Sequence, residues 1–322
     1  MARAFVGSNP TRPNSQNAVF KPKTAFCIGQ SESTAYKTAA YREANPARHT
    51  AYPADLSYQS VACPDQFTAM AQMRKPWTRE ELILAFNLYC RTPFGKIHST
   101  HPAVVELAKY IGRTPSAVSM KMCNFATLDP AQQKRNIKGL AHGSKQDFLI
   151  WEEFNENWEG LALQSQTVLS RLNIHTESEA ALDREFAETE TSRTVRARLV
   201  QRFFRDAVLS SYDYTCAMCH LKILPLLNAS HIVPWSKDKS LRANPRNGLC
   251  LCALHDRAFD RGLITVANDN RILVSSRLKA QKPCLLHQAA FESIEGKPIL
   301  LPHKFKPDAK AIEYHRDMIF LS

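Results

Sequence analysis

Ser230-His231-Ile232-Val233-Pro234-Trp235, then Asn247-Gly248-Leu249, then His255-Asp256-Arg257-Ala258-Phe259-Asp260-Arg261-Gly262, set histidines, an asparagine and carboxylates in a fixed order. His231 follows the run Leu226-Leu227-Asn228-Ala229-Ser230, so it is expected to close the first strand of a hairpin. Imidazole titrates near neutrality, which suits a general base that takes a proton from water. Read alone, His231 would be a core histidine at a strand end. Asn247 stands before Gly248, where its amide can bond backbone across the loop and hold the hairpin that aims His231; the plain alternative is an Asn-Gly turn. His255 and Asp256 are expected to open a short helix. Hard cations such as Mg²⁺ prefer carboxylate oxygen, which makes Asp256 the favoured metal ligand, with His255 a second ligand or a structural residue. Asp260, one helical turn on, would support Asp256 or bond the helix end. A base and a hard cation together are what hydrolysis of a phosphate ester needs.

The rest of the composition bounds the class. The chain has 322 residues, 44% of them hydrophobic, enough for two domains with a sizeable core. No apolar run approaches the roughly 20 residues that span a bilayer. The N-terminus also lacks the apolar stretch of a signal peptide. The expectation is a cytoplasmic protein with no membrane partner. A net charge of +12 points to a polyanionic partner, nucleic acid first, against the plain alternative of solubility. Nine cysteines, an odd number, argue against a disulfide framework.

Residues 1–72, rich in Ser, Thr, Asn, Ala and Pro, show no helical or strand period and are expected to be a disordered tail or the product of a mis-assigned start, with translation beginning at Met70 or Met73. A helical domain is expected over 73–175. Thr78-Arg79-Glu80-Glu81 is a capping box. A second helix should run from Pro102 to Tyr110 with Val105, Leu107, Ala108 and Ile111 apolar, stopped by Gly112. Thr114-Pro115 restarts a third helix through about Asn124. The short turn between these two helices suggests a helix-turn-helix, in which Arg113, Ser116, Ser119 and Lys121 are the candidates for DNA contact. The alternative is a plain three-helix bundle. Residues 176–195, with the acidic run Glu177 to Glu190, read as a linker, and 196–322 as a second domain. Arg198, Arg202 and Arg205 interleave with apolar residues on an amphipathic helix, and Ile264–Val266 and Ile272–Val274 flank a turn at Asn268-Asp269-Asn270.

The motif residues, with Asn244-Pro245-Arg246 before Asn247 and Gln201, Phe203-Phe204-Arg205 and Tyr212 upstream, resemble the bacterial HNH endonucleases of restriction type. The likeness covers roughly residues 75–275. It implies an α+β protein: a helix-turn-helix-like N-terminal domain followed by a C-terminal ββα-metal nuclease domain. It further implies hydrolysis of DNA phosphodiester bonds with Mg²⁺ or Mn²⁺, His231 as base, Asn247 in the loop and Asp256 as ligand, and a role in defence against foreign DNA. Two departures stand out. Ser230 occupies the position where many relatives carry an acid or histidine that binds metal, and Asp256 replaces the final histidine. Cys216-Ala217-Met218-Cys219 and Cys252-Ala253-Leu254-His255 have the two-residue gaps of a zinc ribbon. Some HNH proteins carry a structural Zn²⁺ at these places, which would make His255 a zinc ligand. His220 and Cys250 are substitute ligands, and buried thiols with a free histidine are the alternative. A single such site cuts one strand, so double-strand cleavage needs a homodimer or two events. Two rival readings are a DNA-binding regulator with a degenerate site, suggested by Ser230, and a zinc-stabilised interaction module without catalysis.

Overall fold

The first helix, α1 (Arg79–Arg91), begins where its capping box places it. The Thr78 hydroxyl accepts from the Glu81 N–H at 3.3 Å, and the Glu81 carboxylate accepts from the Thr78 N–H at 2.8 Å. The computed structural model describes residues 75–135, 144–172 and 192–322. These fall within one compact unit, Gln72–Ser322. The expected tail over 1–72 and most of the expected linker over 176–195 lie outside the described residues. Helix α2 (Pro102–Ile111) ends on Gly112 at φ 64°, the left-handed conformation that glycine adopts without strain. Its buried stripe is Val104, Leu107, Ala108 and Ile111, spaced i, i+3, i+4 and i+7; Val105, expected on that face, lies about 100° round the helix from Val104 and is exposed. Thr114 caps α3 (Pro115–Leu128), which runs past the expected end at Asn124. Then come α4 (Pro130–Gln133), α5 (Lys145–Asn155) and α6 (Trp158–Arg171). These helices pack around α1, with Phe86 against Phe125, Trp151 and Trp158 at ring separations of 4.8, 5.4 and 6.1 Å. Trp151 and Phe154 of α5 and Trp158 of α6 are buried.

Two of the expected DNA contacts in the α2–α3 segment are engaged within the fold. Lys121 is buried, and its ammonium donates to both Asp147 carboxylate oxygens at 2.8 and 2.9 Å. Asp147 also closes a capping box at Ser144, so the pair ties α3 to α5. Arg113 donates to the Lys75 and Pro76 carbonyls and to Glu81 at 2.7 Å, and lies over the Trp77 ring at 4.2 Å. Releasing one member of such a buried pair toward DNA would cost about 3–5 kcal/mol. Ser119 donates to the Ser116 carbonyl at 3.1 Å, and Ser116 is exposed.

Helix α7 (Ser192–Ser211) joins the helical layer to the rest of the fold. Val200, Phe203 and Ala207 enter the aromatic core above, while Phe204, Val208 and Leu209 enter a second core. That core covers β1 (Leu227–His231) and β2 (Gly248–Cys252), antiparallel in the register Leu227↔Cys252 to His231↔Gly248. Gly248 lies against α7 so closely that a Cβ there would run into Val208 and Phe204. Helix α8 (Ala253–Asp260) follows directly, and β3 (Ile264–Val266) pairs antiparallel with β4 (Ile272–Val274), the hairpin expected around Asn268-Asp269-Asn270. Helices α9 (Ser276–Lys279), α10 (Leu285–Ala290) and α11 (Ala309–Met318) complete an α+β chain.

The segment before α11 is anchored in the helical layer by a fully buried lysine. Lys304 donates to the carbonyls of Tyr89, Cys90 and Thr92 at 2.6, 2.9 and 2.7 Å, at the C-terminal end of α1. Burial pushes its pKa down to about 7, yet three carbonyl acceptors call for the three N–H bonds of an ammonium, and the helix end favours positive charge. Lys304→Ala leaves these carbonyls buried without donors and opens a cavity. Denaturant unfolding is expected to show a loss of about 3–5 kcal/mol. A loss under about 0.5 kcal/mol, the range of an ordinary surface change, would contradict this anchoring role.

Candidate active site and metal centre

His231 closes β1 as expected, and three contacts fix its ring. It stacks on Phe204 at 3.8 Å and 11°, which the absent side chain of Gly248 across the pair permits. Trp235 meets it edge-on at 5.6 Å. Its Nε2 lies 3.0 Å from the Arg242 carbonyl. A carbonyl can only accept, so Nε2 carries the hydrogen and Nδ1 is the acceptor. The Arg242 side chain braces the same loop: its guanidinium sits over Trp235 at 4.9 Å and donates to the Trp235 carbonyl. Burial lowers the His231 pKa from its ordinary value, against the Arg242 carbonyl and the Asp256 charge, which raise it. The neutral ring that a base requires is therefore the form present at pH 7.

His231 lines a cavity of about 580 Å³ together with Asp256, Asp260, Asn228, Arg205 and Trp235. Asp256 and Asp260 come from α8, one turn apart. Burial raises the Asp260 pKa, and repulsion by Asp256 raises it further, while Arg257 and Arg261 oppose the rise. Among the described residues, no Lys or Arg stands within ion-pair distance of either carboxylate. Two neighbouring carboxylates without a cationic partner, beside an oriented imidazole, are a donor set that fits a hard divalent cation. Asn247 is buried outside this cavity. Its Oδ1 accepts from the Val233 N–H at 2.8 Å, and its Nδ2 donates to the Val233 and Leu241 carbonyls at 3.0 and 3.3 Å. It shapes the loop and does not face the reacting volume. Ser230 is buried, and its Oγ has no hydrogen-bond partner.

Two further residues line the cavity: Asn228, to which the sequence assigned no role, and Arg205, read there as part of the basic face of α7. Asn228 donates to Asp256 Oδ2 at 2.7 Å. Arg205 donates to the Leu227 carbonyl at 2.8 Å and is the one Lys or Arg among the residues lining the cavity. The interleaved arginines on α7 were the available signal for Arg205. Nothing local marks Asn228.

His255 faces the other way. Cys216, Cys219, Cys252 and His255 bring their ligand atoms within 4.8 Å of one another. His255 Nδ1 lies 3.1 Å from Cys252 Sγ and 3.7 Å from Cys216 Sγ, and Cys219 Sγ lies 3.9 Å from Cys252 Sγ. Tetrahedral Zn²⁺ with Zn–S bonds of about 2.3 Å spaces its sulfurs about 3.8 Å apart, so the group fits zinc. The His255 Nε2–H donates to the Ala290 carbonyl at 2.8 Å, which leaves the Nδ1 lone pair for the metal. Hydrogen bonds from Cys216 and Cys219 hold the Cys252 thiol far below its usual range, so the cluster favours a thiolate. Of the two roles open to His255, its placement among the three thiols supports the zinc ligand. Of the substitutes, Cys250 is buried and His220 exposed, and neither joins the group.

Residues 216–267, which carry both His231 and the zinc-type cluster, match the family model described as HNH endonuclease. The match supports an HNH nuclease domain over this segment. None of the curated proteins compared with the chain matches it. No helix among the described residues is long and apolar enough to cross a membrane.

Proposed function

We propose that the chain is a metal-dependent DNA endonuclease in which His231 is the general base, Asp256 the ligand of Mg²⁺ or Mn²⁺, and Zn²⁺ at Cys216, Cys219, Cys252 and His255 a structural ion. The observation that carries this is the pairing, in one cavity, of an imidazole oriented by the Arg242 carbonyl with two carboxylates that make no ion pair among the described residues. His231 Nδ1 takes the proton of the attacking water. Arg205, tethered through Leu227, offers its remaining N–H groups to the phosphate. The cation, when bound, neutralises charge on the phosphate and on the leaving oxygen. Asp260 supports Asp256 electrostatically. Action on DNA follows from the nuclease domain and the net charge of +12. A role in restricting foreign DNA, a cytoplasmic location, and a homodimer for double-strand cutting extend the same reading.

Asp256→Ala tests the ligand assignment. It is expected to lose most activity and to raise the metal concentration needed for the remainder, measured by plasmid nicking across an Mg²⁺ series. Metal dependence equal to wild type would move the ligand role elsewhere. Ser230 favours one rival, a DNA-binding regulator with a degenerate site, because it adds no carboxylate or imidazole to the cavity. DNA binding retained without cleavage at any metal concentration would select it.

A further inference from the structure

We infer that Asn228 is a positioning residue for the catalytic cation: its amide holds the Asp256 carboxylate in one rotation, committing Oδ2 and leaving Oδ1 to the metal. The inference rests on the reading of Asp256 as a ligand. Asn228 Nδ2 and Asp256 Oδ2 are 2.7 Å apart across 28 residues of sequence. A carboxylate only accepts, so the NH₂ face of the amide must meet it. Asp256 carries no ion pair among the described residues, so this hydrogen bond is what restrains a terminal torsion that otherwise rotates broadly.

The topology gives the contact its meaning. Asn228 stands three residues before His231 on β1, opposite Leu251 of β2, whose next residue begins the turn into α8. One strand thus carries both the base and the group that orients the metal ligand. The distance from base to cation is then set by strand geometry and not by a flexible side chain. The chemistry of an amide also suits the task. It donates a charge-assisted hydrogen bond while adding no positive charge, so the full negative charge of Asp256 stays available to a cation. An acid at 228 would remove the donor and set like charge against Asp256. A lysine there would neutralise the ligand.

The sign of the effect of Asn228→Asp therefore separates two roles. As a positioning donor, Asn228 cannot be replaced by Asp without weakening the site. As a direct ligand through its own oxygen, it would bind the cation more tightly as Asp. The full chain, zinc-replete, is titrated with Mn²⁺, and free Mn²⁺ is read from its paramagnetic resonance signal, with thermal melting as the check on folding. N228D and N228A are expected to weaken Mn²⁺ binding about 10–100-fold, the range for losing a partner that orients a metal ligand. The Mn²⁺ concentration for half-maximal plasmid nicking should rise by the same factor. Wild-type Mn²⁺ affinity in N228A, or tighter binding in N228D, would overturn the inference. Mn²⁺ binding unchanged in D256A would overturn the ligand reading beneath it. Absence of nicking with Mn²⁺ binding altered as stated would support the role of Asn228 and count against the nuclease reading alone.

Discussion

Replacement of His231 by alanine is expected to slow DNA cleavage about 10²–10⁴-fold, the usual contribution of a positioned general base. Binding of DNA and the folded state should stay close to native. The reason lies in what surrounds the ring. The Arg242 carbonyl fixes the tautomer and Phe204 and Trp235 fix the plane; Phe204 is also packed in the second core, and Arg242 and Trp235 brace each other. Because burial lowers the His231 pKa below its ordinary value of 6.5, the base form fills as pH rises through that lowered value. The rate should climb on the acid side of pH 6.5 and level off by neutrality. It should fall again only as pH drops and the ring protonates. This limb should vanish in the alanine variant. Wild-type turnover in that variant, or an unchanged acid limb, would remove His231 from the chemistry.

Loss of zinc is expected to unfold the nuclease segment. The four ligands come from both sides of β1 and β2: Cys216 and Cys219 precede the hairpin, while Cys252 and His255 close it and open α8. A metal at that point fastens the two arms that set His231 against Asp256. Structural zinc sites in small modules supply about 10 kcal/mol or more of folding free energy at neutral pH. Elemental analysis should find one Zn²⁺ per chain, and Cys252→Ser should lose it together with the cooperative melt. A strong chelator should do the same. A weak chelator that strips only Mg²⁺ should stop cleavage and leave the melt unchanged, and added Mg²⁺ should restore activity. A zinc-free chain with the melting temperature of the purified protein would contradict the structural role.

Features whose partners lie close in sequence were legible before the structure. Thr78 and Glu81 cap α1 within one turn, and Gly112 stops α2 in the conformation that only glycine takes freely. His231 ends its strand, and the paired gaps of Cys216, Cys219, Cys252 and His255 mark a cluster that the fold assembles. Other roles depend on contacts that no local pattern carries. Lys121 has the composition of an exposed reading residue, yet its helix turns it inward to Asp147, 26 residues away. Arg113, a candidate for DNA contact in the sequence, donates to Glu81 and two carbonyls. Lys304 finds its carbonyls more than 200 residues back in the chain. Asn228 needs both the strand register and the helix that follows before its amide meets Asp256. In each case a polar residue was visible, but its partner was set by tertiary packing.

Plasmid cleavage by the purified full chain, compared in Mg²⁺ or Mn²⁺ and in chelator, on modified and unmodified DNA, tests the nuclease reading most directly. Conversion of supercoiled plasmid to the nicked form with divalent metal, and none in chelator, is the expected result. Cleavage that persists in chelator, or no cleavage of either DNA at any metal concentration by a zinc-loaded, folded chain, would contradict it.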